Sequence, residues 1–178
     1  MTHGSTRPTC SVRPRSAADL PACVRILAEV HERDGYPVDW PARPADWLAA
    51  GDGTAMGLGA WVAELDGRVA GHVALSRPAD DDLAARIWRE RNGSEPAVVG
   101  RLFVSPAARG HRIGANLLRH VTAEARRLGR HPVLDVVASD TAAIALYERA
   151  GWRLLTTTTQ QWSPERTVTI HCYAAPTP

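Results

Sequence analysis

The stretch Val99-Gly-Arg-Leu-Phe-Val-Ser-Pro-Ala-Ala-Arg-Gly-His-Arg-Ile-Gly-Ala115 contains a strand pattern, then a loop with glycines, then the beginning of an amphipathic helix. Residues 101–104 favour an extended conformation, and Pro106 prevents the strand from continuing. Beyond the loop, apolar residues recur at helical spacing over 113–125, and Gly129 stands where a helix would end. A loop that leads into a helix N-terminus presents unpaired N–H groups, so the stretch favours a phosphate or pyrophosphate ligand.

The composition indicates one folded domain. The chain has 178 residues, of which 44% are hydrophobic and 22% are charged, as in an ordinary globular domain. We expect a disordered N-terminal tail over 1–10 and a single domain over 11–178. The net charge of +2 is too small to predict a nucleic-acid partner. No apolar run has the length of a membrane span or of a signal-peptide core, so no membrane partner and a cytoplasmic location are expected.

The basic and sulfur-containing residues exclude several kinds of chemistry. All 21 basic residues are arginine, so a catalytic lysine is excluded. The three cysteines, Cys10, Cys23 and Cys172, are odd in number and far apart, which excludes a fully paired disulfide framework. Neither they nor the scattered histidines have the spacing of metal ligands, so no metal site is predicted.

The remaining patterns predict a mixed α/β domain. Asp66-Gly67 favours a tight hairpin turn between two alternating strands, 60–65 and 68–76. The other predicted elements are a strand over 11–15, a helix from Ser16 to Gly35, a short helix over 44–49, a charged surface helix around Trp88, a strand over 132–138, a helix from Asp140 to Gly151, and strands over 152–159 and 166–173.

Two segments together resemble a known family. Arg109-Gly-His-Arg-Ile-Gly-Ala115 resembles the acetyl-CoA pyrophosphate loop of the GNAT-type N-acetyltransferases, and Ala142-Ala-Ile-Ala-Leu-Tyr-Glu-Arg-Ala-Gly-Trp152 resembles a later segment of the same family. The order and separation of the two segments also fit. The resemblance implies a single-domain fold with a central, mostly antiparallel sheet, one splayed parallel strand pair and flanking helices.

The resemblance also implies a cofactor, acetyl-CoA, with coenzyme A as product. The residues that it places against the cofactor are Leu102, Phe103, Val104, Arg109, Gly110, His111, Arg112, Ile113, Gly114, Ala115, Asp140 and Tyr147. Tyr147 stands at the position of the family's general acid. Two positions depart from the family pattern, because Arg112 replaces a glycine and Asp140 replaces an asparagine.

The general base is not assigned by the resemblance. The family often carries a glutamate on the strand before the loop, whereas Val98, Val99, Gly100 and Arg101 occupy that region here. Four residues remain as alternatives for the base: Asp135, Glu29, Glu32 and His72.

The acceptor is expected to be a primary amine of a small molecule or a peptide. Asp34, Tyr36, Asp39 and Trp40, with Trp47, would receive a cationic amine through charge and cation–π contacts. We therefore expect an acetyl-CoA-dependent N-acetyltransferase. The alternative, kept open by the missing glutamate, is a non-catalytic acyl-CoA-binding or regulatory domain. A nucleotide-binding protein is disfavoured, because neither glycine fingerprint is present. The sequence does not determine the oligomeric state, and a homodimer remains open.

Overall fold

A single seven-stranded sheet organises the chain. The computed structural model describes residues 9–50 and 56–177. The strands are β1 (Cys10–Pro14), β2 (Gly57–Leu65), β3 (Arg68–Ser76), β4 (Pro96–Val104), β5 (His131–Val137), β6 (Arg153–Ser163) and β7 (Arg166–Ala174), and the helices are α1 (Leu20–Asp34), α2 (Pro44–Ala49), α3 (Leu83–Asn92), α4 (Ile113–Arg127) and α5 (Thr141–Arg149). The sheet order is β1-β2-β3-β4-β5-β7-β6, and β4–β5 is its one parallel pair among these described strands. The predicted fold class is confirmed.

Most predicted boundaries agree with these elements. Asp66 and Gly67 both have positive φ, as a type I′ hairpin turn requires, and Gly35 ends α1 in the left-handed conformation. Strand β1 includes Cys10, which pairs with Leu65, so ordered structure begins inside the range predicted as a tail. Residues 1–8 of that tail lie outside the described residues. No described helix has the length and apolar character needed to cross a membrane.

The parallel pair β4–β5 is short. Its register extends over only three residue pairs and ends at Val98 opposite Val133. Beyond Val98, β4 continues to Val104 along β3, while β5 continues to Val137 along β7. The two strands therefore diverge, and the edges that face each other have no strand partner. The candidate functional site lies at this gap.

Helix α3 corrects one expectation. Its charged sequence predicted a solvated surface helix, but Ala84, Ala85 and Trp88 are buried. They form a separate apolar cluster with Cys172 and other residues of β5 and β7. The ring of Trp88 also stacks on His131, with ring centroids 3.7 Å apart. The helix is thus part of the core beside the gap.

Helix α4 packs closely on β3 because Gly71 has no side chain. A Cβ atom at Gly71 would lie 3.0 Å from Ile113 Cγ2, Leu117 Cδ1 and the Phe103 carbonyl oxygen. Ile113 and Leu117 are both buried in the main core cluster. The position of the α4 N-terminus therefore depends on this contact.

We expect Gly71→Ala to lower the free energy of unfolding by about 1–3 kcal/mol, the cost of inserting a methyl group into a packed core. Urea denaturation measures the change. Gly100→Ala is the matched control, because a Cβ atom at Gly100 meets nothing within 4 Å. Equal stabilities of the two variants would contradict this account of the α4–β3 contact.

Candidate functional site

The first cavity, the loop cleft, lies between the 109–114 loop and α5. Its volume is about 470 Å³. Residues from four parts of the chain line it: Val30, Asp34 and Tyr36 near the end of α1, Leu102–Val104 of β4, Ala108–Gly110 and Arg112–Gly114 of the loop, and Ser139–Ala143, Leu146, Tyr147 and Arg149 at α5. The first N–H groups of α4 have no acceptor within the helix. The cleft therefore combines backbone donors with an apolar strand edge.

The loop predicted to bind an anion lines the cleft, except for two of its residues. Gly110 has a φ of 86° and Arg112 has a φ of 59°, so the arginine occupies the left-handed conformation for which glycine is favoured. A Cβ atom at Gly114 would lie 3.3 Å from Leu146, so this glycine allows α4 and α5 to approach. His111 and Ala115 are not among the lining residues, and the ring of His111 instead bonds the Ala108 carbonyl oxygen at 3.1 Å.

Arg109 is held by an ion pair. Its guanidinium group donates to the carboxylate of Asp34, at the end of α1. Asp34 was predicted to bind the acceptor, but it lines the loop cleft and does not line the second cavity. In this structure the Asp34 carboxylate therefore orients Arg109 at the loop cleft.

The second cavity, the strand cavity, lies in the gap between β4 and β5. It has a volume of about 350 Å³ and extends to the loop after α1 and to the β6–β7 hairpin. Five residues line both cavities, namely Tyr36, Leu102, Asp140, Ala143 and Tyr147. The two cavities therefore meet at one junction inside the splayed strand pair.

Tyr147 and Tyr36 bring two phenol groups to this junction. Tyr147 is 7% exposed, and burial raises its pKa well above the usual range, with smaller contributions from Tyr36 and Asp140. Burial likewise raises the pKa of Tyr36 to about 12. Both hydroxyls therefore stay protonated at neutral pH and can act as hydrogen-bond donors.

Asp140 stabilises the N-terminus of α5 at the same junction. Its carboxylate accepts a hydrogen bond of 3.0 Å from the backbone N–H of Ala143, which makes it the N-cap of α5. An aspartate caps a helix as well as an asparagine does. The departure from the family pattern therefore leaves the orientation of α5 intact.

Asp135 is the one base candidate among the four that lines the strand cavity. It faces Cys172 on the neighbouring strand β7, and one of its oxygens accepts a hydrogen bond of 3.2 Å from the Ala84 N–H of α3. Burial of the carboxylate raises its pKa, with a smaller rise from Asp82, while the Cys172 thiol and the Ala84 N–H oppose the shift. Because solvent in the cavity reaches the residue, Asp135 remains accessible to a ligand.

Glu29 and Glu32 lie elsewhere. Both are exposed on α1 and line a shallow depression with Pro106 and Ala107. Neither lines the loop cleft or the strand cavity. Sequence spacing could not reveal that Glu29 and Glu32 lie outside both cavities, because it does not determine which face of α1 lies toward the gap.

His72 is also unsuited to accept a substrate proton. It is fully buried, and its Nε2 lies 2.9 Å from a guanidinium nitrogen of Arg15, which can only donate. The Nδ1–H therefore donates to the Arg101 carbonyl oxygen at 2.8 Å. Both ring nitrogens are engaged, and burial lowers the pKa of His72 to about 3.

His72 instead supports an irregularity in β4. The β3–β4 register shifts between His72 and Ala74, and Arg101, on the opposite strand, has a φ of 51°. Such a backbone conformation costs about 1–2 kcal/mol for a residue with a side chain and persists only where its surroundings hold it. The hydrogen bond from His72 holds the Arg101 carbonyl, while the guanidinium of Arg101 lies 4.9 Å from the centroid of the Trp47 ring.

The predicted acceptor residues divide between the cavity and its surroundings. Tyr36 and Asp39 line the strand cavity, whereas Trp40 and Trp47 do not. The ring of Trp40 instead contacts His31 of α1, with centroids 5.2 Å apart. In this structure Trp40 supports the loop that carries Asp39.

Sequence reasoning missed one residue that lines the strand cavity and one residue beside its rim. Trp162 of the β6–β7 hairpin lines it, and Arg166 of the same hairpin donates a hydrogen bond of 2.8 Å to Asp39. The two partners of this bond are 127 positions apart in the sequence. No local pattern signals such a contact.

Comparisons with known proteins show which family and which fold this chain resembles. Residues 22–152 match the model of the Acetyltransferase (GNAT) family. Among solved structures, yncA from Salmonella typhimurium, solved with its cofactor acetyl-CoA, is 21% identical with a TM-score of 0.69, and the match covers 93% of this chain and 92% of that one. The ribosomal-protein-S18-alanine N-acetyltransferase from Escherichia coli is 20% identical with a TM-score of 0.69, covering 94% of each chain. The polyamine N-acetyltransferase from Drosophila melanogaster is 17% identical with a TM-score of 0.69, covering 93% and 99%. No curated protein matches the sequence. At these identities the likeness to solved structures concerns the fold.

The buried His72 makes a prediction about acid stability. Because its pKa is about 3 in the folded protein and 6.5 in its ordinary state, the unfolded chain binds more protons between these values. The free energy of unfolding therefore falls as the pH drops below 6.5, by about 2 kcal/mol at about pH 5 from this residue. We expect His72→Gln, which keeps one donor and one acceptor, to lose this part of the pH dependence. Urea denaturation at about pH 6.5 and about pH 5 gives the change in the free energy of unfolding with pH for the native protein and for the variant. An equal change in the two proteins would contradict a neutral His72 with both ring nitrogens bonded.

Proposed function

This chain belongs to the acetyltransferase (GNAT) family, and from that premise we propose that it transfers an acetyl group from acetyl-CoA to a primary amine of a small molecule or peptide. One observation carries the proposal: the loop cleft and the strand cavity meet between β4 and β5, with Tyr147 lining both. A donor and an acceptor that enter from the two cavities would meet at this junction. Direct transfer requires such a meeting point.

The loop cleft fits coenzyme A by its donor groups. The N-terminus of α4 offers backbone N–H groups and a positive dipole end to a pyrophosphate, and Arg112 adds a cation at the cleft wall. Beyond Val98 the edge of β4 that faces β5 has no strand partner. That edge can bond an extended ligand containing amide groups, as the pantetheine arm does. Bound acetyl-CoA would supply the activated acetyl thioester.

We assign the role of general base to Asp135. An amine attacks a thioester only when it is neutral, so a group in the acceptor cavity must take its proton. Asp135 lines that cavity, and its raised pKa makes it a better proton acceptor than an ordinary carboxylate. The Ala84 N–H keeps one of its oxygens oriented, and the Cys172 thiol also bonds the carboxylate. The exposed side of the carboxylate is open to the amine or to a bridging water.

We assign the role of general acid to Tyr147. Its hydroxyl stays protonated at neutral pH, because burial raises its pKa, and it can donate that proton to the departing sulfur. Backbone N–H groups near Phe103 and Val104 would stabilise the negative charge that develops on the carbonyl oxygen. The bond from His72 to the Arg101 carbonyl steadies the backbone just before these residues.

The proposal is tested by measuring coenzyme A release from acetyl-CoA with a panel of primary amines, using the native protein and Tyr147→Phe. The variant removes one hydroxyl and keeps the buried ring. We expect kcat to fall by about 10- to 100-fold, within the range of acid–base contributions. The Kd for coenzyme A should change less than twofold, on the order of the scatter of such measurements.

Tyr173→Phe is the matched control. Its hydroxyl donates to Glu148 at 3.0 Å, and the residue lines neither cavity. Unchanged turnover in Tyr147→Phe would remove the acid assignment. Coenzyme A binding without release of acetyl groups to any amine would instead favour a binding or regulatory domain.

A second prediction concerns Asp135→Asn. The amide keeps an acceptor for the Ala84 N–H but cannot take a proton, so we expect kcat/KM to fall on the order of 100-fold. In the native protein kcat/KM should decrease as the pH falls and Asp135 becomes protonated, at a pH above the ordinary aspartate value of 3.8 because its pKa is raised. The pH–rate profile of the variant should lack this limb.

Glu29→Gln and Glu32→Gln are the controls for charge. Each removes one carboxylate from α1, outside both cavities. A profile for Asp135→Asn that keeps the native acid limb, or an equal loss of rate in the control variants, would exclude Asp135 as the base.

A further inference from the structure

A cation site exists at the rim of the strand cavity, and a side chain of the protein fills it. The guanidinium of Arg166 donates a hydrogen bond of 2.8 Å to Asp39 Oδ1. The same group lies 5.6 Å from the centroid of the Trp162 ring, within the range of a cation–π contact. Asp39 and Trp162 both line the cavity, whereas Arg166 does not. Arg166 thus occupies a carboxylate–aromatic pair that faces the cavity.

The loop that carries the carboxylate of this site is tied to the rest of the domain. Asp39 belongs to the loop after α1, and that loop is tied to α1 at two points. The ring of His31 bonds the Pro37 carbonyl oxygen at 2.8 Å and also contacts the ring of Trp40. Pro37 is also buried. The backbone that carries Asp39 therefore keeps its position when the cation changes.

The cation, by contrast, is weakly held. The Asp39 side chain is 72% exposed and that of Arg166 is 40% exposed. An ion pair in such surroundings contributes little stability, because water and salt screen both charges. Arg166 stands at the beginning of β7, just beyond the tip of an exposed hairpin. A competing cation can therefore replace it at small cost.

The remaining charges of the cavity favour such a competitor. Three aspartates line the cavity, Asp39, Asp135 and Asp140, against one arginine, Arg101. The guanidinium of Arg101 is directed at the ring of Trp47, 4.9 Å away, and Trp47 lies outside the cavity lining. The cavity is thus lined by carboxylates in two places, with Asp135 on β5 and Asp39 at the rim.

We propose that the acceptor amine carries a second positive charge, which displaces Arg166 and binds to Asp39 and Trp162. This inference rests on the proposed function, because it assigns the reacting amine to the junction near Tyr147 and the second cation to the rim. It identifies the substrate class as a diamine or an amine bearing a guanidinium group. Arg166 is then a specificity-determining residue, which competes with the substrate for Asp39.

The test compares three probes of one chain length: butylamine, diaminobutane and aminobutanoate. The readout is the ratio of kcat/KM for diaminobutane to that for butylamine. We expect Arg166→Gln to raise this ratio about two- to fivefold, because a competitor worth one exposed ion pair is removed. We expect Asp39→Asn to lower it about fivefold. Calorimetric Kd values for diaminobutane, measured with coenzyme A present, should move in the same directions.

A second exposed ion pair supplies matched controls. Arg43 and Asp46 lie 3.1 Å apart, with side chains 83% and 62% exposed, and neither lines the strand cavity. Arg43→Gln and Asp46→Asn make the same changes of charge as the test variants. Both should leave the ratio at its native value.

The outcomes separate this inference from the function on which it rests. Acetyl transfer with the same ratio in all variants overturns the inference alone. A native preference for aminobutanoate that is lost in Arg166→Gln also overturns it, because Arg166 would then bind a substrate carboxylate. If no amine is acetylated, the proposed function fails, and unchanged Kd values for diaminobutane in that case overturn the cation site as well.

Discussion

The divergence of β4 from β5 is the constraint on which the site depends. A parallel pair normally continues until both strands end, because each unpaired N–H and C=O group loses a hydrogen bond. Here pairing stops after Val98 and Val133, although both strands run on. The facing edges are left to water or to a ligand. A molecule with its own amide groups can satisfy them, so the interruption of the sheet is also the beginning of a binding site.

Several buried interactions keep the gap open from the β3 side. The left-handed Arg101 bends β4, and the bond from His72 to its carbonyl fixes that bend. His72 is in turn fixed by Arg15, whose guanidinium also donates to the Leu48 carbonyl oxygen at 2.8 Å. The bulge is therefore connected through two side chains to β1 and α2. A change at His72 would reach the site through the backbone rather than through a direct contact with substrate.

The sequence predicted the elements well because their signals are local. Glycines at helix ends, the Asp66-Gly67 turn and the apolar spacing of α4 act within a few residues, and each has the expected structure. The loop before α4, which we predict to bind an anion, has its expected position for the same reason. The features that the sequence could not predict are the direction in which a helix face points and the contacts between residues far apart in the chain. Glu29 and Glu32 are on the right helix but on a face away from the gap, and Asp34 meets Arg109 only after the chain has folded. The burial of Trp88 likewise depends on β5 and β7.

The separation of two acidic positions in the strand cavity resolves a conflict in the proposed chemistry. A carboxylate beside the reacting amine attracts the substrate, but it also stabilises the protonated amine, which cannot attack. A site that obtained its affinity at that carboxylate would bind the unreactive form. If a second cation binds at Asp39 and Trp162, the affinity comes from a group that does not react. Asp135 is then free to act on the proton, since binding energy at a remote part of the substrate can hold the amine in place while its charge is removed.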